Sequence, residues 1–135
     1  MSLYTAIATS AGRNTRAVTS DGKLDVKLSL QKEFGGDGDG TNPEQLFAAG
    51  YAACFASSLQ YVAGRRKVDV NGMTVTAEVD LRAKDTGFAL SAVLRVKLPG
   101  HLSTEAKQEL ADAAHQVCPY SNATRGNIPL ELVIE

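Results

Sequence analysis

The chain has 135 residues, enough for one domain that buries its own core without covalent staples. A hydrophobic fraction of 44% and a charged fraction of 21% are those of an ordinary globular domain. A formal net charge of −1 argues against nucleic acid, which selects a basic face.

Residues 4–9 form the first strand candidate, and Gly12-Arg13-Asn14 turns the chain. Residues 16–20 form the second. Asp21-Gly22 is a hairpin signal, and Leu24-Asp25-Val26-Lys27-Leu28-Ser29-Leu30 then alternates as a half-buried strand does. The N-terminus therefore reads as a three-stranded meander. Gly35-Gly36-Asp37-Gly38-Asp39-Gly40 matches neither G-x-G-x-x-G nor a P-loop, and its aspartates repel phosphate. It reads as a connecting loop. Thr41 and Glu44 match a capping box, with Pro43 in the first helical position. The helix that follows runs to about Gly64 and is apolar nearly all round. Gly50, Ser57, Ser58 and Gln60 leave it too weakly apolar for a membrane span, so it is expected at the centre of the core. Arg65-Arg66-Lys67 at its end complements the helix dipole.

Residues 75–81 and 88–98 alternate again, with Asp85-Thr86-Gly87 turning between them. Ser103 caps a helix whose Ala106, Leu110, Ala113, Ala114 and Val117 share one face. Ile128, Leu130, Leu132 and Ile134 mark a last strand. Strands grouped apart from helices give an α+β fold, a single domain over residues 1–135 with antiparallel sheets packed on a buried central helix. Cys54 and Cys118 are the only cysteines, one inside the apolar helix and one where the next helix meets Pro119. The N-terminus shows no charged-then-apolar leader, so a cytoplasmic location is expected. That compartment keeps thiols reduced, which favours a working redox pair over a structural disulfide.

Two segments carry a resemblance. Thr41-Asn42-Pro43-Glu44-Gln45-Leu46-Phe47-Ala48-Ala49-Gly50-Tyr51-Ala52-Ala53-Cys54-Phe55 resembles the first cysteine segment of the organic hydroperoxide resistance (Ohr) proteins. His115-Gln116-Val117-Cys118-Pro119-Tyr120-Ser121-Asn122-Ala123-Thr124-Arg125-Gly126-Asn127 resembles their second. These proteins form one branch of the OsmC/Ohr family of thiol peroxidases, and the likeness runs along nearly the whole chain. The resemblance implies an OsmC/Ohr-like fold in an intertwined homodimer. It implies a peroxidase for alkyl and fatty-acid hydroperoxides, recycled by lipoylated proteins. The thiol chemistry itself requires no cofactor, and charge and helix composition leave no membrane or nucleic-acid partner expected. The resemblance also implies that Cys54 is the reactive cysteine and Cys118 the resolving one, with Arg13 and Glu44 completing the catalytic set.

The chemistry suits those residue types. The thiolate is the nucleophile, and burial in an apolar helix raises a thiol pKa, so Cys54 needs a cation. Arg13 supplies a permanent one that also stabilises charge on the leaving oxygen, and a carboxylate such as Glu44 would hold its fork. Attack leaves a sulfenic acid, which a second thiol condenses to a disulfide and a dithiol then reduces. Tyr51 and Phe55 are expected to give the substrate an apolar wall. Tyr120 and Asn122 either line the pocket or satisfy a loop.

Plainer readings stand beside these. Free cysteines often only fill space, Glu44 serves the capping box, and Arg13 is an exposed turn residue with Arg16 as its nearest rival. His115, Cys118 and Cys54 form an incomplete zinc set, so no metal is expected. A thiol redox sensor and a binder of apolar acids are the alternative functions. Glu44 and Cys54 are ten residues apart, about 15 Å along a straight helix, too far for one arginine to serve both within one chain. Two copies of the helix crossing antiparallel near residue 49 would remove the difficulty, giving sites shared between protomers.

Overall fold

The computed structural model describes residues 1–135. Strands β1 (Ala8–Ser10), β2 (Arg16–Thr19) and β3 (Asp25–Lys27) precede a single 3₁₀ turn, Lys32–Phe34. Then come α1 (Pro43–Arg66), β4 (Thr74–Lys84), β5 (Gly87–Lys97), α2 (Thr104–Val117), α3 (Pro119–Thr124) and β6 (Leu130–Ile134). The strands form two three-stranded sheets, β1-β2-β3 and β4-β5-β6. The fold is α+β, as the grouping of elements in the sequence predicts.

The chain comprises two compact units, Met1–Leu46 and Phe47–Glu135. The first is the N-terminal meander, antiparallel throughout. Its Asp21-Gly22 turn forms because the Asp21 carboxylate accepts from the Lys23 amide at 3.0 Å and the Thr19 hydroxyl at 2.8 Å, while Gly22 takes φ 74°. The strands are shorter than the alternation suggests, and the unit buries only Leu28, Ser29 and Asn42. Leu3, Tyr4, Ile7, Leu24 and Phe34 stay exposed. The glycine-rich loop has a steric cause. A Cβ on Gly36 would lie 2.1 Å from the Leu30 carbonyl oxygen, so only glycine allows the chain to double back there.

Helix α1 begins differently from the expected capping box. Asn42, not Thr41, is the cap, and its side chain accepts from the Gln45 amide at 2.9 Å. Pro43 takes the first helical position. The Thr41 hydroxyl instead donates to Gln45 Oε1 at 2.7 Å, and Glu44 is left outside the cap.

In the second unit, β4 and β5 form a long antiparallel hairpin with Thr74 opposite Lys97 and Lys84 opposite Gly87. β6 joins β5 in parallel, from Ala92–Leu130 to Val96–Ile134, which corrects the all-antiparallel expectation. The reason is the connection: α2 and α3 carry the chain back to the end where β5 began, as a parallel pairing requires. Tyr51, Phe55 and Leu59 of α1 lie one turn apart and pack with Leu94, Val96 and Leu98, and with Ala114 and Cys118. Each such fully buried aromatic or leucine contributes about 1.5–3 kcal/mol. Val62 and Ala63 meet Leu110 in a smaller cluster. Ser103 caps α2 as expected, accepting from the Ala106 amide at 3.1 Å. The inner face of α2 is Leu110, Ala111 and Ala114, whereas Val117 at its end is 44% exposed. Helix α1 is long and apolar enough to cross a membrane, but its Tyr51, Phe55, Leu59 stripe is core. Only that side is buried within one chain; Ala49, Ala53, Ser57, Gln60, Tyr61 and Gly64 face outward.

Candidate active site

The stripe Tyr51-Phe55-Leu59 fixes the rotation of α1. Cys54 follows Tyr51 by three positions, at the edge of the buried face, and is partly exposed. Cys118 follows Ala114 by four on the inner side of α2 and is fully buried. These two phases bring the sulfurs together. Cys118 Sγ lies 3.4 Å from Cys54 Sγ, and both thiols are free.

The backbone turns sharply at Cys118, which ends α2 and caps α3. Its amide donates to the Ala114 carbonyl at 2.9 Å, and its sulfur accepts from the Ser121 amide at 3.5 Å. Pro119 sits at the first position of α3, where the missing N–H is tolerated. Burial pushes the Cys54 thiol above its ordinary range. The Tyr120 backbone amide opposes this by donating to the sulfur, and the neighbouring Cys118 thiol adds to it.

A buried hydroxyl cluster stands behind the thiols. Tyr51 Oη lies 2.9 Å from Ser121 Oγ and 3.1 Å from Thr124 Oγ1, tying α1 to α3. The rings of Tyr51 and Tyr120 are 5.7 Å apart, and Phe47 meets both edge-on at 6.1 Å. Gly50 makes this possible, since a Cβ there would lie 2.6 Å from the Tyr120 hydroxyl.

An open cleft of about 450 Å³ adjoins Cys54, lined by Cys54, Ser57, Ser58, Tyr61, Val117 and Pro119. Four of these lie on one stretch of α1, at Cys54 and three, four and seven residues beyond it. That spacing groups them on one side of the helix, but spacing alone does not say which side faces the opening. Of the expected pocket residues, Tyr51 and Phe55 turn into the core and back the thiols from behind. Tyr120 lies against α1 at Gly50 with 38% exposure. Asn122 is exposed and accepts from Arg125 Nη1 at 2.7 Å. The Nδ1 of His115 is buried without a partner. Its pKa is pushed down, by burial first and then by the Arg125 charge, with Asp112 opposing.

Arg13 and Glu44 belong to the N-terminal unit. Arg13 is exposed in the turn between β1 and β2. Glu44, on the first turn of α1, is half-buried and accepts from Gln31 Nε2 at 3.3 Å. They form no ion pair with each other. Arg16, the rival cation, is committed to Asp25 at 2.6 Å.

The sequence pattern of the OsmC-like protein family matches residues 36–133. An organic hydroperoxide resistance protein of Xanthomonas axonopodis pv. citri (strain 306) is 52% identical over 135 residues, covering 98% of this chain and 94% of that protein. The crystal structure of an organic hydroperoxide resistance protein from Legionella pneumophila has a TM-score of 0.94 at 44% identity, covering 100% of this chain and 99% of that one. That of OhrB from Bacillus subtilis has a TM-score of 0.87 at 39% identity, covering 99% and 100%.

Proposed function

The chain belongs to the OsmC/Ohr family of organic hydroperoxide resistance proteins, and from that premise we propose that it is a thiol-dependent peroxidase. The observation that carries this reading is the reduced sulfur pair at 3.4 Å, with one partly exposed thiol beside an apolar cleft and one buried thiol behind it. Only Cys54 is open to a substrate from that cleft.

The alkyl tail of a hydroperoxide lies in the cleft against Tyr61, Val117 and Pro119. The Cys54 thiolate attacks the terminal oxygen, the O–O bond breaks, and the alkoxide leaves and takes up a proton as the alcohol. The Cys54 sulfenic acid then meets the Cys118 thiol. An S–S bond forms, the S–O bond breaks, and hydroxide departs with the thiol proton as water. A dithiol reductant restores both thiols by exchange. A lipoyl group is such a dithiol, and the cytoplasm is where the cycle would run.

The reading also includes a homodimer. In it Arg13 and Glu44 of one protomer complete the thiol pair of the other, giving the thiolate its cation and the leaving oxygen its donor. The outward alanines of α1 and the exposed apolar residues of the N-terminal unit support a partner surface.

Peroxide consumption by single-cysteine variants tests the cycle. Cys54→Ser is expected to consume none. Cys118→Ser is expected to consume about one equivalent and then hold a sulfenic acid that dimedone traps. A Cys54→Ser protein that still reacts, beside an inert Cys118→Ser, would reverse the roles. Wild type that consumes no hydroperoxide with a dithiol present would remove the peroxidase reading.

A further inference from the structure

The last carbonyls of an α-helix lack intrahelical amide partners. At the end of α2 the Ala114 carbonyl is served by the Cys118 amide at 2.9 Å. The next carbonyl, of His115, would look four residues on, to position 119. That residue is Pro119, which has no N–H. Arg125 supplies the missing donor. Its Nη2 donates to the His115 carbonyl at 2.6 Å, and its Nη1 donates to Asn122 Oδ1 at 2.7 Å. One rigid guanidinium fork therefore links the last turn of α2 to α3. The residue at the hinge between those two helices is Cys118, with φ −66° and ψ 118°. The Ser121 amide, which donates to the Cys118 sulfur at 3.5 Å, lies on the segment that the fork holds.

We propose that Arg125 is a positioning residue for the resolving thiol: by bracing the Cys118-Pro119 hinge it sets how fast Cys118 captures oxidised Cys54. The proposal rests on the peroxidase reading for its biological step, the condensation of a Cys54 sulfenic acid, made by an organic hydroperoxide, with Cys118. Reacting atoms held about 3–3.5 Å apart are poised for attack, and a displacement of about 1 Å can cost on the order of a hundredfold in rate. The 3.4 Å separation of the sulfurs falls in that range. Arg125 is solvent-exposed, so its removal leaves the core intact.

Rapid mixing of the reduced protein with cumene hydroperoxide separates the two steps, because sulfenylation depends on peroxide concentration and condensation does not. Arg125→Met is expected to change sulfenylation by less than about twofold and to slow condensation by about tenfold or more. Cys54 should then over-oxidise to sulfinic acid at correspondingly lower peroxide. Arg125→Lys, which retains a charged donor for the carbonyl, is expected to recover part of the condensation rate. Asn122→Ala, which removes one of the two acceptors, should slow condensation less than Arg125→Met does.

Diamide closes a neighbouring dithiol without peroxide chemistry, and the same order of rates is expected with it. Wild type that closes its disulfide with diamide but not with hydroperoxide would sink the peroxidase reading alone, leaving the brace to be judged by diamide closure. Condensation at the wild-type rate in Arg125→Met overturns the proposal, as does an equal fall in both steps. Should Arg125→Met fail to fold, wild-type condensation in both Arg125→Lys and Asn122→Ala overturns it.

Discussion

Replacing Tyr51 with phenylalanine removes one oxygen from the place where α1 and α3 are tied together. The side chain is fully buried, and its hydroxyl is 2.9 Å from Ser121 Oγ and 3.1 Å from Thr124 Oγ1. The phenylalanine ring keeps the packing on Phe47 and Tyr120, so the loss is polar. Thr124 Oγ1 retains its bond to the Ser121 carbonyl at 3.2 Å, whereas Ser121 Oγ, fully buried, keeps no partner. Two neutral hydrogen bonds at about 1 kcal/mol each, together with one orphaned hydroxyl, give a loss of about 2–3 kcal/mol. Urea unfolding at one fixed protein concentration should show the midpoint falling by about 1 M with an unchanged slope. Ser121→Ala in the Tyr51→Phe background then removes the orphan. The double variant should be no less stable than Tyr51→Phe alone, a coupling of about 1–2 kcal/mol. A loss below about 0.5 kcal/mol for Tyr51→Phe, or additive single losses, would refute the claim that these hydroxyls satisfy one another.

Three other outcomes follow from the site. Val117→Asp places a charge in the apolar cleft at an exposed helix end; it should lower kcat/KM for cumene hydroperoxide while leaving hydrogen peroxide nearly untouched. Each methylene that wild type buries is worth about 0.8 kcal/mol, or about fourfold in rate, so equal losses on both substrates would place the alkyl tail elsewhere. For pH, the folded state raises the Cys54 pKa and so holds its proton longer than the unfolded chain does. The stability this confers is complete below the unfolded thiol value of about 8.5 and is lost as pH rises through the folded value. Cys54→Ser should flatten that alkaline decline in unfolding curves, and parallel curves for the two proteins would contradict it. Finally, a mixed dimer of Arg13→Ala and Cys54→Ser chains should retain about half the activity if sites are shared across a two-fold axis. An inactive mixed dimer, beside inactive parents, rejects the sharing.

The thiol pair was legible because two long motifs flank it, and the strands because their residues alternate. The direction of β6 was not. Ile128, Leu130, Leu132 and Ile134 give a strand the same pattern whichever way it runs, and the helical crossover decides. The cleft was hidden by composition. Tyr51, Phe55 and Leu59 form a clear core stripe, but alanines on the other faces of α1 supply no polar contrast to set the phase. Without that phase, the aromatics nearest Cys54 in sequence stand out, whereas Ser57, Ser58 and Tyr61 line the opening. The brace at Arg125 was half legible. Pro119 four residues after His115 announces an orphan carbonyl, but a donor ten residues away from His115 is fixed only by how α3 folds back.

Activation of Cys54 brings these strands together. Burial pushes its thiol pKa up, and the Tyr120 amide pulls the other way. A peroxidase built on this pair needs a cation that stays charged, and the chain's arginines narrow the choice. Arg16 is held by Asp25, Arg82 by Asp80 and Ser91, and Arg95 by Glu78. Arg125 is spent on the His115 carbonyl and Asn122. Arg65 lies over the Tyr61 ring at 5.8 Å, eleven residues along α1 from Cys54. Arg66 is one residue farther, about 18 Å along the axis from Cys54. Arg13 is likewise without a partner, and it sits on an exposed turn of a unit that buries little of itself. An uncommitted cation on one protomer and a partly exposed thiol that needs one on the other would complement each other in the proposed dimer. If a second protomer delivers the cation, the Cys54 thiolate gains its counter-charge only in the assembly, and activity should depend on dimer formation.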